Sequence, residues 1–195
     1  MLWSLNPPYY SIAIDSTGAA TYQSAPDIVD TTGVPYTVAF QVSDATRRTT
    51  FIVARNLDFF RGEFPGTVGS PQKTPVRTLG FHDSTISNQM TYSSSTESEI
   101  QELTSIFEEI SSTLEFGRKL AYFHQHDQSA LEGELASMQR EGERHHLREL
   151  QAVAPVLRSI ASDKNVDEAA RARAEAMLNP AHMTLTTPIL STAGE

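Results

Sequence analysis

Between Tyr10 and Tyr22 the chain alternates twice around a turn, and no other segment restricts the possible folds as much. Tyr10, Ile12 and Ile14 occupy every second position with Ser11 and Ala13 between them, and Ala20 and Tyr22 flank Thr21. A period of two sends one set of side chains to a buried face and the other to solvent, which is the pattern of a strand and not of a helix. Asp15-Ser16-Thr17-Gly18 joins the two runs. Aspartate and serine side chains bond nearby backbone, and a glycine takes positive φ without steric cost, so the segment reads as a β-hairpin.

After a polar connection containing Pro26 and Gly33, the residues Val34, Tyr36, Val38, Phe40 and Val42 alternate again and predict a third strand. Ser43 and Asp44 suit the start of a helix, the first as a cap and the second as a negative charge near the positive helix end. Phe51, Ile52, Ala54 and Leu57 give that helix an apolar side, and it should end near Asp58-Phe59-Phe60. Residues 61–75 are rich in glycine and proline and read as a long connection. Val76 to Phe81 and Asn88 to Tyr92 predict two further strands about a turn at His82-Asp83-Ser84.

Thr96-Glu97-Ser98-Glu99 has the spacing of a capping box. The helix it opens buries Ile100, Leu103, Phe107, Ile110 and Leu114, with Leu120 and Phe123 extending the stripe past Gly117. Leu131, Leu135 and Met138 mark another helix, and Leu147, Leu150, Val153, Leu157 and Ile160 a third. Pro155 lies inside this last pattern and predicts a kink or break there. Asn165-Val166-Asp167-Glu168 resembles a cap before an alanine-rich helix that Asn179-Pro180 stops. The polar tail 180–195 reads as flexible, with Met183, Leu185 and Ile189 able to dock on a sheet edge.

Strands joined by tight turns and helices kept apart from them predict an α+β fold: an antiparallel five-stranded sheet with helices on one face, followed by an all-α extension. The expected divisions are a sheet domain over 9–120, a helical extension packed on it over 121–179, and the tail.

The spacing Tyr10-x-Ile12-x-Ile14-x-x-x-Gly18-x-x-x-Tyr22, followed by a strand, a helix and Phe59-Phe60, resembles a small bacterial α+β domain family of unknown function. The resemblance covers residues 9 to 118 and implies a β-β-β-α-β-β-α order. Family members open with a Cys-Pro-x-Tyr hairpin, whereas this chain has Pro8-Tyr9 at that place. The resemblance implies no catalytic residue. Because many such domains are exported, it points to the periplasm or outside if an export segment has been removed, and to the cytoplasm otherwise.

Composition narrows the chemistry. The 195 residues include no cysteine, which removes disulfides, thiolate nucleophiles and thiolate zinc sites. The net charge is −9 and unevenly placed: residues 1–92 hold six basic and seven acidic groups, and the remainder nine and seventeen. No basic cluster occurs, so nucleic acid is not an expected partner. No apolar run reaches the length of a membrane span, and a soluble chain is expected.

Several motifs fail on register. Asp15-Ser16-Thr17-Gly18 and Asp30-Thr31-Thr32-Gly33 each carry one residue too many for an aspartic-protease loop, whose two carboxylates must share a proton. Gly66 to Thr74 lacks the glycine before Lys73 that a phosphate loop needs, and Pro71 removes an amide from the cradle. His82, Asp83 and Ser84 are adjacent in a strand end, so their side chains diverge and do not form a triad.

Two sets of candidates remain. Tyr10, Tyr22 and Tyr36, with Tyr9, either pack in the core with their hydroxyls at its edge or line the sheet face not covered by helices, and that face, or the long connection with Arg61 and Lys73, is where a protein or envelope partner would bind. His124, Asp127, Glu141 and His145 lie at helical spacings and could hold a divalent metal between two helices. The sequence calls for no cofactor and leaves the oligomeric state open. It favours a non-enzymatic binding or protein-interaction module. A hydrolase or metal-dependent enzyme with a His/carboxylate site, which would also draw on His82, is the first alternative, and a structural subunit of a homo-oligomer the second.

Overall fold

The computed structural model describes residues 9–25, 35–62, 66–67 and 75–179. Strands and helices occur together, and among the described residues every strand pairing is antiparallel, so the fold is α+β. The expected single five-stranded sheet is not formed. Instead, β1 (Tyr10–Ile14), β2 (Ala19–Ser24) and β3 (Tyr36–Gln41) make one three-stranded sheet in that order. Two separate ladders pair β4 (Gly66–Thr67) with β7 (Ser94–Ser95), and β5 (Arg77–His82) with β6 (Ser87–Tyr92). Alternation identifies a strand and its buried face but says nothing of which strand lies beside it, and hydrogen bonding between distant segments decides that. Nor are the helices confined to an extension after the sheet. The helix α1 (Asp44–Asn56) separates β3 from the later strands, and α2 (Ser98–His126) begins directly after β7.

Two compact units result. One comprises Met1–Ser43 with Glu108–Glu195, the other Asp44–Phe107. The first contains the three-stranded sheet, the later part of α2, and the helices α3 (Leu131–Glu143), α4 (Ala154–Ser162) and α5 (Glu168–Met177). Its hairpin register pairs Ile12 with Tyr22 and Ile14 with Ala20, and β2 pairs Tyr22 with Val38 and Ala20 with Phe40. The same alternate residues thus share one face throughout. Gly18 turns the hairpin at φ 87, while the Asp15 carboxylate accepts from the Thr17 amide (2.8 Å), the Thr17 hydroxyl (2.6 Å) and the Ala19 amide (3.1 Å). These bonds hold the Asp15 carboxyl below its ordinary pKa, led by the Thr17 side chain.

From Ser111 to Leu120 only two α2 residues, Ser112 and Arg118, are more than marginally accessible, so this stretch of helix has almost no solvated side. Ile110, Leu114, Phe116 and Leu120 are essentially inaccessible, each contributing roughly 1.5–3 kcal/mol by burial. The helix runs through Gly117, where an added Cβ would lie 2.5 Å from Val153 Cγ1. Glycine stands here because the neighbouring backbone segment comes close. Pro155 falls in the first turn of α4, after the 3-10 turn Leu150–Val153, so the expected break occurs and its missing amide removes no helical bond. The Asp167 side chain caps α5 by accepting from the Ala169 amide at 2.8 Å.

The second unit closes around Val53, Ala54, Leu57, Phe60, Leu79, Tyr92, Ile100 and Leu103, with Phe81, Met90 and Phe107 against them. Of the expected apolar side of α1, Ile52 is exposed and Val53 takes its place inside. After α1 the chain passes through Asp58, Phe59 and Phe60 at φ 45, 52 and 63, three consecutive left-handed residues. Each costs about 1–2 kcal/mol. The cost is offset by burial of Phe60, by the Phe59 ring packing 4.5 Å from Phe81, and by the Asn88 amide donating to the Phe59 carbonyl at 3.1 Å. The second hairpin turns on Asp83, which accepts from the Thr85 and Ile86 amides at 2.7 Å each and from the Thr85 hydroxyl at 3.0 Å, the arrangement Asp15 uses in the first. The capping box expected at Thr96 is replaced: α2 opens one residue later, and Glu99 accepts from Ser98 Oγ at 2.7 Å.

Candidate functional site

Tyr22 is the centre of the tyrosine group and is completely buried. Its position on β2 turns the ring toward α2, away from the outer sheet face on which a binding surface is expected. Its hydroxyl donates to Glu115 Oε1 at 2.7 Å and lies 3.2 Å from Ser111 Oγ. One phenolic proton can serve one acceptor, so with Glu115 taking it the Ser111 hydroxyl is left to donate. Ser24, two residues along the strand and on the same face, donates to the same carboxylate oxygen at 2.9 Å. The other oxygen of Glu115 meets the Arg118 guanidinium at 2.6 Å.

Arg118 extends the group. It donates to the Ala25 carbonyl at 3.4 Å, and its guanidinium stands 5.4 Å from the centre of the Tyr36 ring. Tyr10 stacks on Tyr22 at 6.1 Å and Tyr36 meets it edge-on at 6.2 Å. A buried carboxylate is tolerated only when its oxygens are paired, and here two hydroxyls and a guanidinium share it. Burial, aided by the Glu115 charge, pushes the Tyr22 phenol far above its ordinary pKa. Burial also raises Tyr36, with Glu115 adding and Arg118 opposing, up to about 12. Both phenols are neutral donors at physiological pH. The arrangement stores no free base or nucleophile and acts as an internal polar joint between sheet and helix.

Arg61 is exposed beside the Asp58 carboxylate at 3.9 Å, and Lys73 lies outside the described residues. Of the histidine and carboxylate candidates, His124, Asp127 and Glu141 find other partners. His124 Nε2 sits 2.9 Å from Asp163 Oδ2, not on Asp127, whose carboxylate accepts from Ser129. Asn165 backbone and His124 together hold the Asp163 carboxyl below its ordinary pKa. Glu141 accepts from His146 and Arg144, both at 2.9 Å, and His145 is exposed with a left-handed backbone at φ 59. Among the described residues no group of three or more histidine or acidic side chains is placed to hold a metal ion.

Two further buried charged groups have comparable structural weight. Lys119 is 3% exposed, with its ammonium 3.7 Å from Glu134 of α3. Glu149 is buried before α4 and binds Ser43. The uncharged run Ile110-Ser-Ser-Thr-Leu114, following acid-rich turns, marks a helix segment with little solvated face, and Glu115 directly follows it.

The outer face of the sheet is formed by the residues between the tyrosines. Ser11, Gln23 and Thr37 lie side by side across the three strands, as do Ala13, Thr21 and Ala39, and Ala19 pairs with Gln41. All eight are exposed and none is charged. No helix among the described residues is long and apolar enough to cross a membrane. Comparison with models of known protein families, with curated proteins and with solved structures gave no match.

Proposed function

We propose that this chain is a non-enzymatic binding module whose partner is another protein, met by the outer face of the three-stranded sheet. The observation that carries this reading is the uncharged face of Ser11, Ala13, Ala19, Thr21, Gln23, Thr37, Ala39 and Gln41. Surfaces carry roughly 25–35% charged residues, so two or three would be expected among eight. Interface cores are depleted of charge because an ion must shed its water to be covered. Short, neutral side chains also let an opposing surface approach the sheet closely.

Size decides the strength. Three strands about 4.8 Å apart and five residues long at about 3.3 Å each present about 240 Å², against about 800 Å² per partner for a stable complex. The contact is therefore transient, or is extended by surface beside the sheet. Thr21→Arg, at the centre of the face, should abolish recovery of a partner that the intact chain retains, while Arg61→Ala leaves recovery unchanged. Equal recovery by both variants, with thermal midpoints preserved, would overturn the sheet face as the site. Concentration-dependent light scattering that Thr21→Arg removes would make the partner a second copy of the chain.

One observation favours a second reading. His124 and Asp163 form a half-buried imidazole–carboxylate pair, the orienting half of a hydrolytic site. A hydrolase built on it loses turnover in Asp163→Asn, whereas a structural pair loses only stability.

A further inference from the structure

Glu149 differs from the other buried acids in its backbone. It is 4% exposed and sits in the left-handed region at φ 61, ψ 43. Its Oε2 accepts the Ser43 amide at 2.7 Å and its Oε1 the Ser43 hydroxyl at 2.9 Å. The Gln151 side chain also donates to Oε2, and the same amide group reaches the Gln41 carbonyl at 3.3 Å. A residue with a Cβ leaves the left-handed region unless its surroundings hold it there. Here the hold is the carboxylate itself, drawn by its three donors.

We propose that Glu149 is a releasable latch on the end of β3. Engaged, it ties Gln41–Ser43 to the connector between α3 and α4. Released, its backbone relaxes out of the left-handed region, and the bond from the Ala152 amide to the Glu149 carbonyl, 2.9 Å long, goes with it. Side-chain grip and backbone geometry therefore change together, so Gln41–Ser43 and Glu149–Ala152 open as one local unit while the rest stays folded. The opening has a boundary. Leu147 is buried, the Arg148 amide bonds Thr113 Oγ1 at 3.0 Å, and the Arg148 guanidinium bonds Glu109 at 2.8 Å, so the connector stays pinned to α2 just before the latch.

Amide hydrogen exchange on the full chain tests this. Glu149→Gln keeps the shape but sets an amide N–H₂ against donors of Ser43 or Gln151. The expected result is exchange at least tenfold faster at the Ser43 and Ala152 amides by a common factor, with the β1–β2 pairing unchanged. Glu149→Gly removes the grip yet occupies the left-handed region without cost, so Ser43 should be released while Ala152 keeps its protection. Unchanged exchange at Ser43 in both variants, or equal loss at Ala152 in Glu149→Gly, overturns the latch. Should Glu149→Gln fail to fold, Ser43→Ala removes one donor only and should give a smaller rise at the Ala152 amide and at the Ser43-position amide; no rise there also overturns it.

Discussion

A phenol has one proton to give, and Tyr22 gives it to a carboxylate that no solvent reaches. The residue is thereby fixed from both ends, its ring by Tyr10 and Tyr36 and its oxygen by Glu115 and Ser111. Tyr22→Phe keeps the ring contacts and takes one donor from Glu115, leaving Ser24 and Arg118. A hydrogen bond to a charged group contributes about 1.5–3 kcal/mol, so a loss of about 2 kcal/mol is expected in denaturant unfolding, with secondary structure unchanged. A loss below about 0.5 kcal/mol would mean that the Glu115 carboxylate does not depend on this donor. That Tyr22 lies on the opposite strand face from Thr21 was legible in the alternation; which of the two faces is buried was not. Nor was the acceptor of Tyr22, because Glu115 lies 93 residues away and only packing of α2 on the sheet brings them together.

At the scale of elements, α2 shows why glycine inside a helix need not end it. Its 29 residues continue through Gly117 because the missing side chain admits Val153. Gly117→Ala would improve helix propensity by about 1 kcal/mol and place a methyl 2.5 Å from Val153 Cγ1. Overpacking costs about 1–3 kcal/mol, and a 2.5 Å approach lies toward the upper end, so the steric effect wins and a net loss of up to about 2 kcal/mol is expected. Adding Val153→Ala opens the space, so the double variant should lose less than the two single losses combined; simple additivity in thermal unfolding would show that the two residues do not touch. The strands and helices themselves were largely readable in the sequence: β1 and β2 from alternation, α2 from its apolar stripe, and α4's late start from Pro155. Exact starts were less so. The capping box at Thr96 gave way by one residue, since sequence spacing fixes what can cap a helix and the approach of the chain fixes what does.

For the whole molecule the buried phenols set an alkaline limit. Tyr36 is raised from the ordinary 10 to about 12 and Tyr22 beyond it, so the folded form keeps protons that the unfolded form sheds. The stabilisation is complete below pH 10 and is lost as pH rises through the folded values. The thermal midpoint should hold steady up to about pH 10 and then fall, with part of the tyrosinate absorbance appearing only on unfolding. Full tyrosinate absorbance at pH 10–11 from a chain still folded would contradict this. By itself the sequence determined the class, α+β with antiparallel hairpins, and which strand residues share a face, because periodicity is a property of neighbours along the chain. It did not determine the grouping of strands into a three-stranded sheet and two separate ladders, nor the pairings of Tyr22 with Glu115 and Ser43 with Glu149. The two pairings join groups 93 and 106 residues apart, and the strand grouping is a choice of neighbours that alternation leaves open, so only the tertiary structure decides them.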